Sequence, residues 1–583
     1  MAGGLSQSVL AVGALLGLLV YLLDRNAHVV FRCLLDKTRS KQIRQRMSDV
    51  FVGIDLGTSN SSISYIRKGS SAVHTVEANG HSYPSTVKFL PDGGVAPCVE
   101  VVMENNYGFA LNSKRLIGRS FHEPDIQQSL GSFGTTVREC RPCSKRDKMA
   151  STHECGYVNP YSGAVEPAVN ISSMILKHIK EAAEKDIGEP ITKALITVPV
   201  VFTWEQRMET VRAAKLAGIQ VTSVEPEPVM AAFDYCVSNE IKDGRFVVYD
   251  FGGGTFDLTL VSVENGKYVT SDISGDPDLG GENITMAIMK AIESAIASAL
   301  HKENIYEGLD ELRVRSNLHC YAEQVKVAMT DISETVVVNT SVFYEGWSLK
   351  LPVNFDIDSV KEPVLRTIKL TKQLVDNCCT VIDKIIMIGG SSEFSFCRSR
   401  MEATFPGMIE RNSNSYHCVS RGAAMCASLF PAGFDIHDNE VMFRNQLRHR
   451  LGYLNASKVP TYVFNKGDPL PKKRRERVRT TERTSFIRTT IIEEKDDGSY
   501  RKCTDLVIRL NKPVEKRTIL YITFFVSSDL MLYYEIQSNN NEVLVPLRRI
   551  SSILLSVCCV IVIRGQSSPS SLPTIRVGVS HSD

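Results

Sequence analysis

The chain has 583 residues, too many for a single hydrophobic core, so two to four domains are expected. Its 43% hydrophobic and 23% charged residues are those of a globular protein, not of a disordered or fibrous one. A formal net charge of +2 excludes a strong field for nucleic acid or anionic membrane across the whole molecule, and 15 scattered cysteines, an odd number, lean toward a reducing compartment.

Residues 1–23 carry no charged side chain, and 9–23 (VLAVGALLGLLVYLL) are almost wholly apolar. As a helix this stretch is long enough to cross a hydrocarbon core of roughly 30 Å. A basic leader and a small-x-small cleavage site before Asp24 are both missing, which favours an uncleaved anchor over a signal peptide. Arg25, Arg32, Lys37, Arg39, Lys41, Arg44 and Arg46 follow, against Asp24 and Asp36. That excess of positive charge places the rest of the chain in the cytosol; the alternative is the lumen of the endoplasmic reticulum. Asn60 opens an N-x-S sequon in a turn where a glycan would block the site described next, which supports the cytosol.

Residues 51–66 read FVGIDLGTSNSSISYI: an apolar run ending in Asp55, a turn with Gly57, Thr58, Ser59 and Asn60, then renewed alternation. The pattern predicts a strand, a turn and a return strand. Glycine at such a tip lets backbone approach a phosphate closely. A carboxylate at the strand end can hold water on a magnesium ion that bridges phosphate oxygens. Further on, Cys140, Cys143, His153 and Cys155 form a C-x2-C then H-x-C pattern, whose spacing is unusual for zinc. Apolar spacing predicts a helix over 171–186 and a buried strand over 194–199. Glu227 lies between Pro226 and Pro228, which stiffens its backbone.

Residues 245–263, RFVVYDFGGGTFDLTLVSV, repeat the first design. An apolar run ends in Asp250, Gly252, Gly253, Gly254 and Thr255 make the turn, and alternation resumes through Asp257. Two hairpins of one design suggest two similar lobes facing one nucleotide. A third element, KIIMIGGSS over 384–392, reads as a buried strand ending in Gly389, Gly390 and Ser391, followed by a helix whose start can offer backbone N–H groups to a ligand. A further long helix is expected over 284–300, and Glu323, Lys326 and Thr330 share one helix face.

In this order the three elements resemble the phosphate-1, phosphate-2 and adenosine elements of the actin-like ATPase superfamily. DLGTS, SKRLIGR (113–119), ITVPVVF (196–202), EPEPVMAA (225–232), DFGGGTFD and DLGGEN (278–283) resemble signatures of the seventy-kilodalton heat-shock chaperones, over about 51–430 and more faintly to about 550. The resemblance implies an α/β fold, a two-lobed actin-like ATPase with duplicated lobes, followed by a reduced all-β domain. The expected segments are 1–49 (anchor or signal segment with a basic stretch), 50–235 (first lobe), 236–430 (second lobe), 431–550 (degenerate β-sandwich) and 551–583 (Ser/Pro-rich tail, disordered by composition). The family's helical lid needs on the order of a hundred more residues than follow residue 550.

The resemblance also implies roles. Asp55 and Asp250 hold the waters of Mg2+. Lys114 neutralises charge developing on the γ-phosphate of ATP. Glu227 orients the attacking water, since a carboxylate is too weak a base to strip it outright, and Thr255 helps arrange the phosphate. Nucleotide contacts fall on Gly57, Thr58, Ser59, Asn60, Gly252, Gly253, Gly254, Thr255, Asp257, Glu323, Lys326, Thr330, Gly389, Gly390 and Ser391. Pro199 and Arg207 relay nucleotide state to the second domain. Three positions depart from the family pattern. Val327 and Glu393 stand where two arginines sandwich adenine, and Tyr416 replaces an aspartate. Losing both arginines forfeits about 1–4 kcal/mol of base binding, roughly 5- to 1000-fold, unless another contact fills the gap.

Beyond 430 the family's acidic, leucine-rich interdomain linker is not recognisable. Residues 459–473 resemble the start of a peptide-gripping β-sandwich, and 504–510, 519–526 and 530–536 read as strands. The run KKRRERVR (472–479) reads as a solvated edge strand, or alternatively as a patch for an anionic surface. Residues 553–563 are apolar but too short to span a membrane as a helix.

The function expected is that of a membrane-tethered chaperone ATPase, using ATP and Mg2+ to bind and release unfolded client polypeptides. A J-domain co-chaperone and a nucleotide-exchange factor are implied as partners, and nucleic acid is not. The alternative is a nucleotide-binding scaffold with little or no turnover.

Overall fold

Two apolar runs fold back through glycine turns, and each becomes the centre of a sheet. A computed structural model describes residues 50–550 apart from 79–80, 99–107, 131–132, 134, 141–153, 310, 329–336, 345–346, 355–356, 379, 412–414, 431–442, 496 and 528–530. In the first lobe, Val50–Asp55 pairs antiparallel with Asn60–Arg67 and parallel with Lys193–Val198. The sheet continues to Gln220–Pro226 on one side and Val73–Val76 on the other. In the second lobe, Gly244–Phe251 pairs antiparallel with Phe256–Glu264 and parallel with Lys384–Ile388. That sheet continues to Ile409–Arg411 and to Lys267–Asp276. The two sheets repeat one order of strands and one set of directions, so the duplication seen in the turns extends through both lobes.

The helices cover these sheets with apolar stripes. Ala168–Ile187 buries Ile171, Ile175, Leu176, Ile179 and Ala183, spaced for one face of a helix. Gly281–Leu300 does the same with Ile284, Ile288, Ile292 and Ile296. Two helices bind the lobes to each other. Glu227–Ser238 and Cys418–Leu429 share a core with Leu195 of the first sheet and Val248, Val261 and Ile388 of the second. Their fit depends on missing side chains. A Cβ on Gly53 would lie 2.2 Å from the Ala424 nitrogen, and one on Gly422 would lie 2.0 Å from the Met230 carbonyl oxygen. The boundary expected at 235/236 therefore falls inside a helix, and Cys418–Leu429, at the end of the second lobe in sequence, packs on the strands of the first.

After the second lobe the chain adds Phe443–Arg444 to that lobe's sheet, parallel to Lys267–Asp276, and Thr270 Oγ1 donates to Asn445 Oδ1 at 3.1 Å. The linker unrecognised by motif is thus partly placed by backbone pairing. Two four-stranded sheets follow. One runs in the order Pro460–Phe464, Leu451–Leu454, Thr484–Glu494, Tyr500–Val514; the other runs Lys472–Arg479, Ile519–Val526, Leu532–Ser538, Val543–Arg549. The basic run is an edge strand, with every basic side chain from Lys473 to Arg479 exposed and Val478 turned inward. Sequence patterning missed Leu451–Leu454, which is short, Thr484–Glu494, where polar residues interrupt the alternation, and Val543–Arg549, which contains a proline.

This β-domain sits against the first lobe, and their apolar residues form one cluster. Arg501 Nη1 donates to Thr203 Oγ1 at 3.2 Å, and the Trp204 N–H donates to Glu493 Oε2 at 3.3 Å. Burial pushes the Glu493 carboxyl up to about 7, against the pull of Arg501, the Trp204 N–H, Arg207 and Arg448.

Two outcomes follow from this packing. Gly422→Ala should cost roughly 1–3 kcal/mol by overpacking; an unchanged urea midpoint would show that the two bridging helices can slide apart. Folded Glu493 holds its proton more tightly than an unfolded glutamate does. Its contribution is therefore complete below the ordinary carboxylate range and is lost as pH rises through about 7. Relative to the parent chain, Glu493→Gln should gain melting temperature between about pH 5 and about pH 8, and a difference that stays flat across that range would contradict the burial argument.

Candidate functional site

The strand ends that carry Asp55 and Asp250 open into one cleft between the lobes. Its walls include Gly57, Thr58, Ser59 and Asn60 from the first turn and Gly252, Gly253 and Thr255 from the second. Gly389, Gly390 and Ser391 from the third element also line it, as do Lys114, Glu227, Glu323 and Lys326. The hairpin tips meet there. A Cβ on Gly253 would lie 2.0 Å from Ser59 Oγ, and one on Gly254 would lie 2.7 Å from Thr58 Cγ2. Gly389 has φ +83°, and a Cβ on it would be 2.5 Å from the Phe251 carbonyl oxygen, so only glycine suits that position.

The second turn is pinned by its carbonyls. Gly281 N–H donates to the Gly252 oxygen at 3.0 Å, Glu282 N–H to the Gly253 oxygen at 2.7 Å, and Ser391 Oγ to the Gly252 oxygen at 2.9 Å. No hydrogen bond from the Gly253 or Gly254 N–H is found among the described residues. Successive free N–H groups in a turn form a concavity suited to anionic oxygen.

Charge is concentrated at the same end. Lys114 Nζ donates to Glu227 Oε1 at 2.5 Å, and both side chains are buried. Burial alone would lower the Lys114 pKa, but Glu227, Asp55 and Asp250 outweigh it and keep the ammonium charged. Asp55 is raised by burial and then by Glu227, against Lys114 and the Thr197 hydroxyl, which donates to its Oδ1 at 3.5 Å. Asp250 is raised well above the carboxylate range by burial, then by Glu227, Asp257 and Asp55. Burial and Glu227 push Asp257 up to about 7, and neither of its oxygens makes a hydrogen bond of ordinary geometry. Four acids thus crowd around one lysine. With three of these acids holding their protons more tightly than usual, a divalent cation fits the site, since it would displace those protons and relieve the repulsion.

Away from this end the cleft is set by the helix Glu311–Ala328. Lys326 Nζ donates to Glu323 Oε2 at 2.6 Å and to Thr285 Oγ1 at 3.0 Å, and Thr285 Oγ1 donates to Glu323 Oε2 at 2.6 Å. Burial would raise Glu323, but Lys326 and Thr285 outweigh it and hold the carboxylate ionised. Glu393 is occupied elsewhere: Ser415 Oγ donates to its Oε1 at 2.8 Å, and Arg398 forms an ion pair with it. Among the described lining residues there is no arginine.

Not every expected contact lies in this wall. Asp257 is directly across the hairpin from Asp250 and is 1% exposed, so it sits beneath the turn and acts on the cleft through charge rather than contact. Gly254 faces Thr58 and Arg115 instead. Thr330 lies outside the described residues, as do Cys143, His153 and the apolar segment 9–23. Cys140 and Cys155 are buried on adjacent strands, and no cluster of three potential metal ligands occurs among the described residues. No helix among them is long and apolar enough to cross a membrane. Sequence reasoning passed over Ser82, Ile284, Phe394, Ser415 and Val419 in the wall, and Thr197 and Thr285 behind it. Thr285 could have been suspected from its place one turn into the helix that starts at the Gly280–Gly281 pair; the others gave no local signal.

The Hsp70 protein family matches residues 51–489, three quarters of the chain. The chain belongs to the Hsp70 family. Its two lobes are the family's actin-like ATPase fold, and the match runs into the β-domain. The chain is 28% identical over 402 residues to the mitochondrial iron-sulfur cluster biogenesis chaperone of Saccharomyces cerevisiae, covering 64% of this chain and 58% of the relative. It is 31% identical over 383 residues to the chaperone protein HscA homolog of Pasteurella multocida, covering 65% and 57%. It is 28% identical over 435 residues to the heat shock 70 kDa protein BIP3 of Oryza sativa subsp. japonica, covering 73% and 63%. The chain therefore spans roughly three fifths of the length of these curated relatives.

Proposed function

We propose that this chain is a chaperone-type ATPase that binds ATP with Mg2+ in the cleft and hydrolyses it to control its hold on unfolded client polypeptides. The observation that carries this reading is the buried Lys114–Glu227 pair, 2.5 Å apart, set between Asp55 and Asp250. Bound Mg2+ would neutralise phosphate oxygens, with Asp55 and Asp250 holding its waters. Thr58, Ser59 and the N–H groups of Gly253 and Gly254 grip the phosphates. Lys114 places its charge against the γ-phosphate, where it stabilises the charge that develops as the terminal bond breaks. Glu227, fixed at a helix start after Pro226, accepts a hydrogen bond from the attacking water and aims it.

The cleft communicates with the β-domain through the segment between Pro199 and Arg207. Arg207 is 2% exposed and donates to the carbonyls of Phe202 at 3.3 Å and of Pro199 and Val200 at 3.5 Å. Next to it, Trp204 meets Glu493 of the β-domain. A shift of Pro199 with nucleotide state would move this contact, and the β-domain would grip or release an extended peptide accordingly. Family membership supports a J-domain co-chaperone and a nucleotide-exchange factor as partners. The altered adenine side, with Glu393 tied to Arg398, favours as a second reading a nucleotide-bound scaffold with little turnover.

Turnover separates the two readings. The full chain should release phosphate from ATP only with Mg2+, and Lys114→Ala should lower that rate on the order of a hundredfold or more; equal rates for parent and variant would leave only the scaffold. We further propose that residues 9–23 anchor the chain with its lobes in the cytosol, on the charge asymmetry of the flanking residues. A C-terminal epitope tag should then be digested by protease added to sealed microsomes, whereas a protected tag would place the lobes in the lumen.

A further inference from the structure

The cleft wall combines three chemistries: Asp55 and Asp250 with Lys114, the Glu323–Lys326 pair, and the apolar or aromatic side chains of Val327, Phe394 and Tyr416. A nucleotide combines the same three, in charged phosphates, a hydroxyl-bearing sugar and a flat aromatic base. Tyr416 is 49% exposed although it lines this cavity. Its ring rests on Gly390: a Cβ there would lie 3.0 Å from Cε1, 3.8 Å from Cδ1 and 3.9 Å from Cζ. The glycine leaves room for the ring and supports it from behind. The neighbouring charged groups are spent on each other, since Glu393 is held by Ser415 and Arg398, and neither Glu393 nor Arg398 reaches the cleft wall.

We propose that Tyr416 is the platform on which the nucleobase stacks, doing with an aromatic face what a guanidinium plane would otherwise do. The inference rests on the reading of the cleft as a nucleotide site and adds the residue that holds the base. A phenol ring already seated on Gly390 loses little freedom when a base covers it, and covering it removes exposed apolar surface from water. Base–aromatic stacking of this kind is worth roughly 5- to 150-fold in affinity. Val327 and Phe394 add apolar wall that a free triphosphate would not use.

Calorimetric titration of the full chain with magnesium ADP and with magnesium tripolyphosphate, which lacks base and sugar, tests this. Tyr416→Ala and Tyr416→Leu should each weaken ADP binding by roughly 5- to 150-fold. Both should leave tripolyphosphate binding unchanged, and Tyr416→Phe should bind ADP as the parent does. Parent-like ADP affinity in the leucine variant, which keeps the bulk but loses the aromatic face, would overturn the proposal. So would equal losses for both ligands. A parent chain that binds tripolyphosphate and ADP equally well would overturn the platform and leave the phosphate site standing. One that binds neither would overturn the nucleotide reading and this inference together.

Discussion

Asp55, Asp250, Asp257 and Glu227 are drawn to one buried place with a single ammonium among them. Asp55 and Asp250 are only partly open to the cleft while Asp257, Glu227 and Lys114 are buried, so water relieves this crowding incompletely, and one lysine cannot balance four acids. Asp55, Asp250 and Asp257 answer the crowding by holding their protons more tightly. A divalent cation would relieve the same repulsion, and anionic oxygens brought with it would meet the Gly253 and Gly254 N–H groups. Much of the surrounding architecture keeps the acids together in spite of their repulsion.

Close backbone contact does that work. Asp55 and Asp250 each lie at the end of a central strand, and each of these strands is locked between a parallel and an antiparallel neighbour. The two lobes are then joined by Glu227–Ser238 and Cys418–Leu429, which meet closely only because residue 422 is glycine, while Gly53 lets the second of them lie against its strand. Glu227 starts one of these helices, so the acid paired with Lys114 is carried by the element that bridges the lobes. A change in the angle between the lobes must alter the relation of Glu227 to Asp55 and Asp250. Arg115 and Asp278, 2.9 Å apart across the same gap, form a second and more exposed clasp between them.

The β-domain is tied to this frame at two points of different character. Phe443–Arg444 extends the second lobe's sheet by backbone pairing, and Glu493 and Arg501 engage the first lobe around Thr203 and Trp204 by hydrogen bonds. Buried polar contacts of this sort are sensitive to small displacements, because a donor or acceptor that loses its partner away from water costs about 1–3 kcal/mol. A domain attached to both lobes can thus sense their relative position without touching the cleft. The basic edge strand Lys472–Arg479 lies on the other sheet of that domain, where its charges keep an unpaired edge from joining a second basic strand.

The two hairpin turns were legible in the sequence because they are local: a strand ending in Asp, a glycine turn and a return strand all fall within some twenty consecutive residues. Family membership, the duplicated lobes and the polar end of the cleft followed from them. Local patterning could not place Asp257 under the turn, since burial depends on what packs above it, nor find Thr285 and Phe394, which reach the cleft from distant elements. It also could not divide the lobes at 235, because the helix that spans this point belongs to both. Nor could it show that Tyr416 fills space beside Gly390, a contact between residues far apart in the chain. The sequence by itself determined which turns would meet at one cleft, since that depends on residue type and short spacing. Only the tertiary structure decided which acids share one lysine and which ring stands beside Gly390 in the wall, because charge balance and cavity shape are properties of groups brought together from separate parts of the chain.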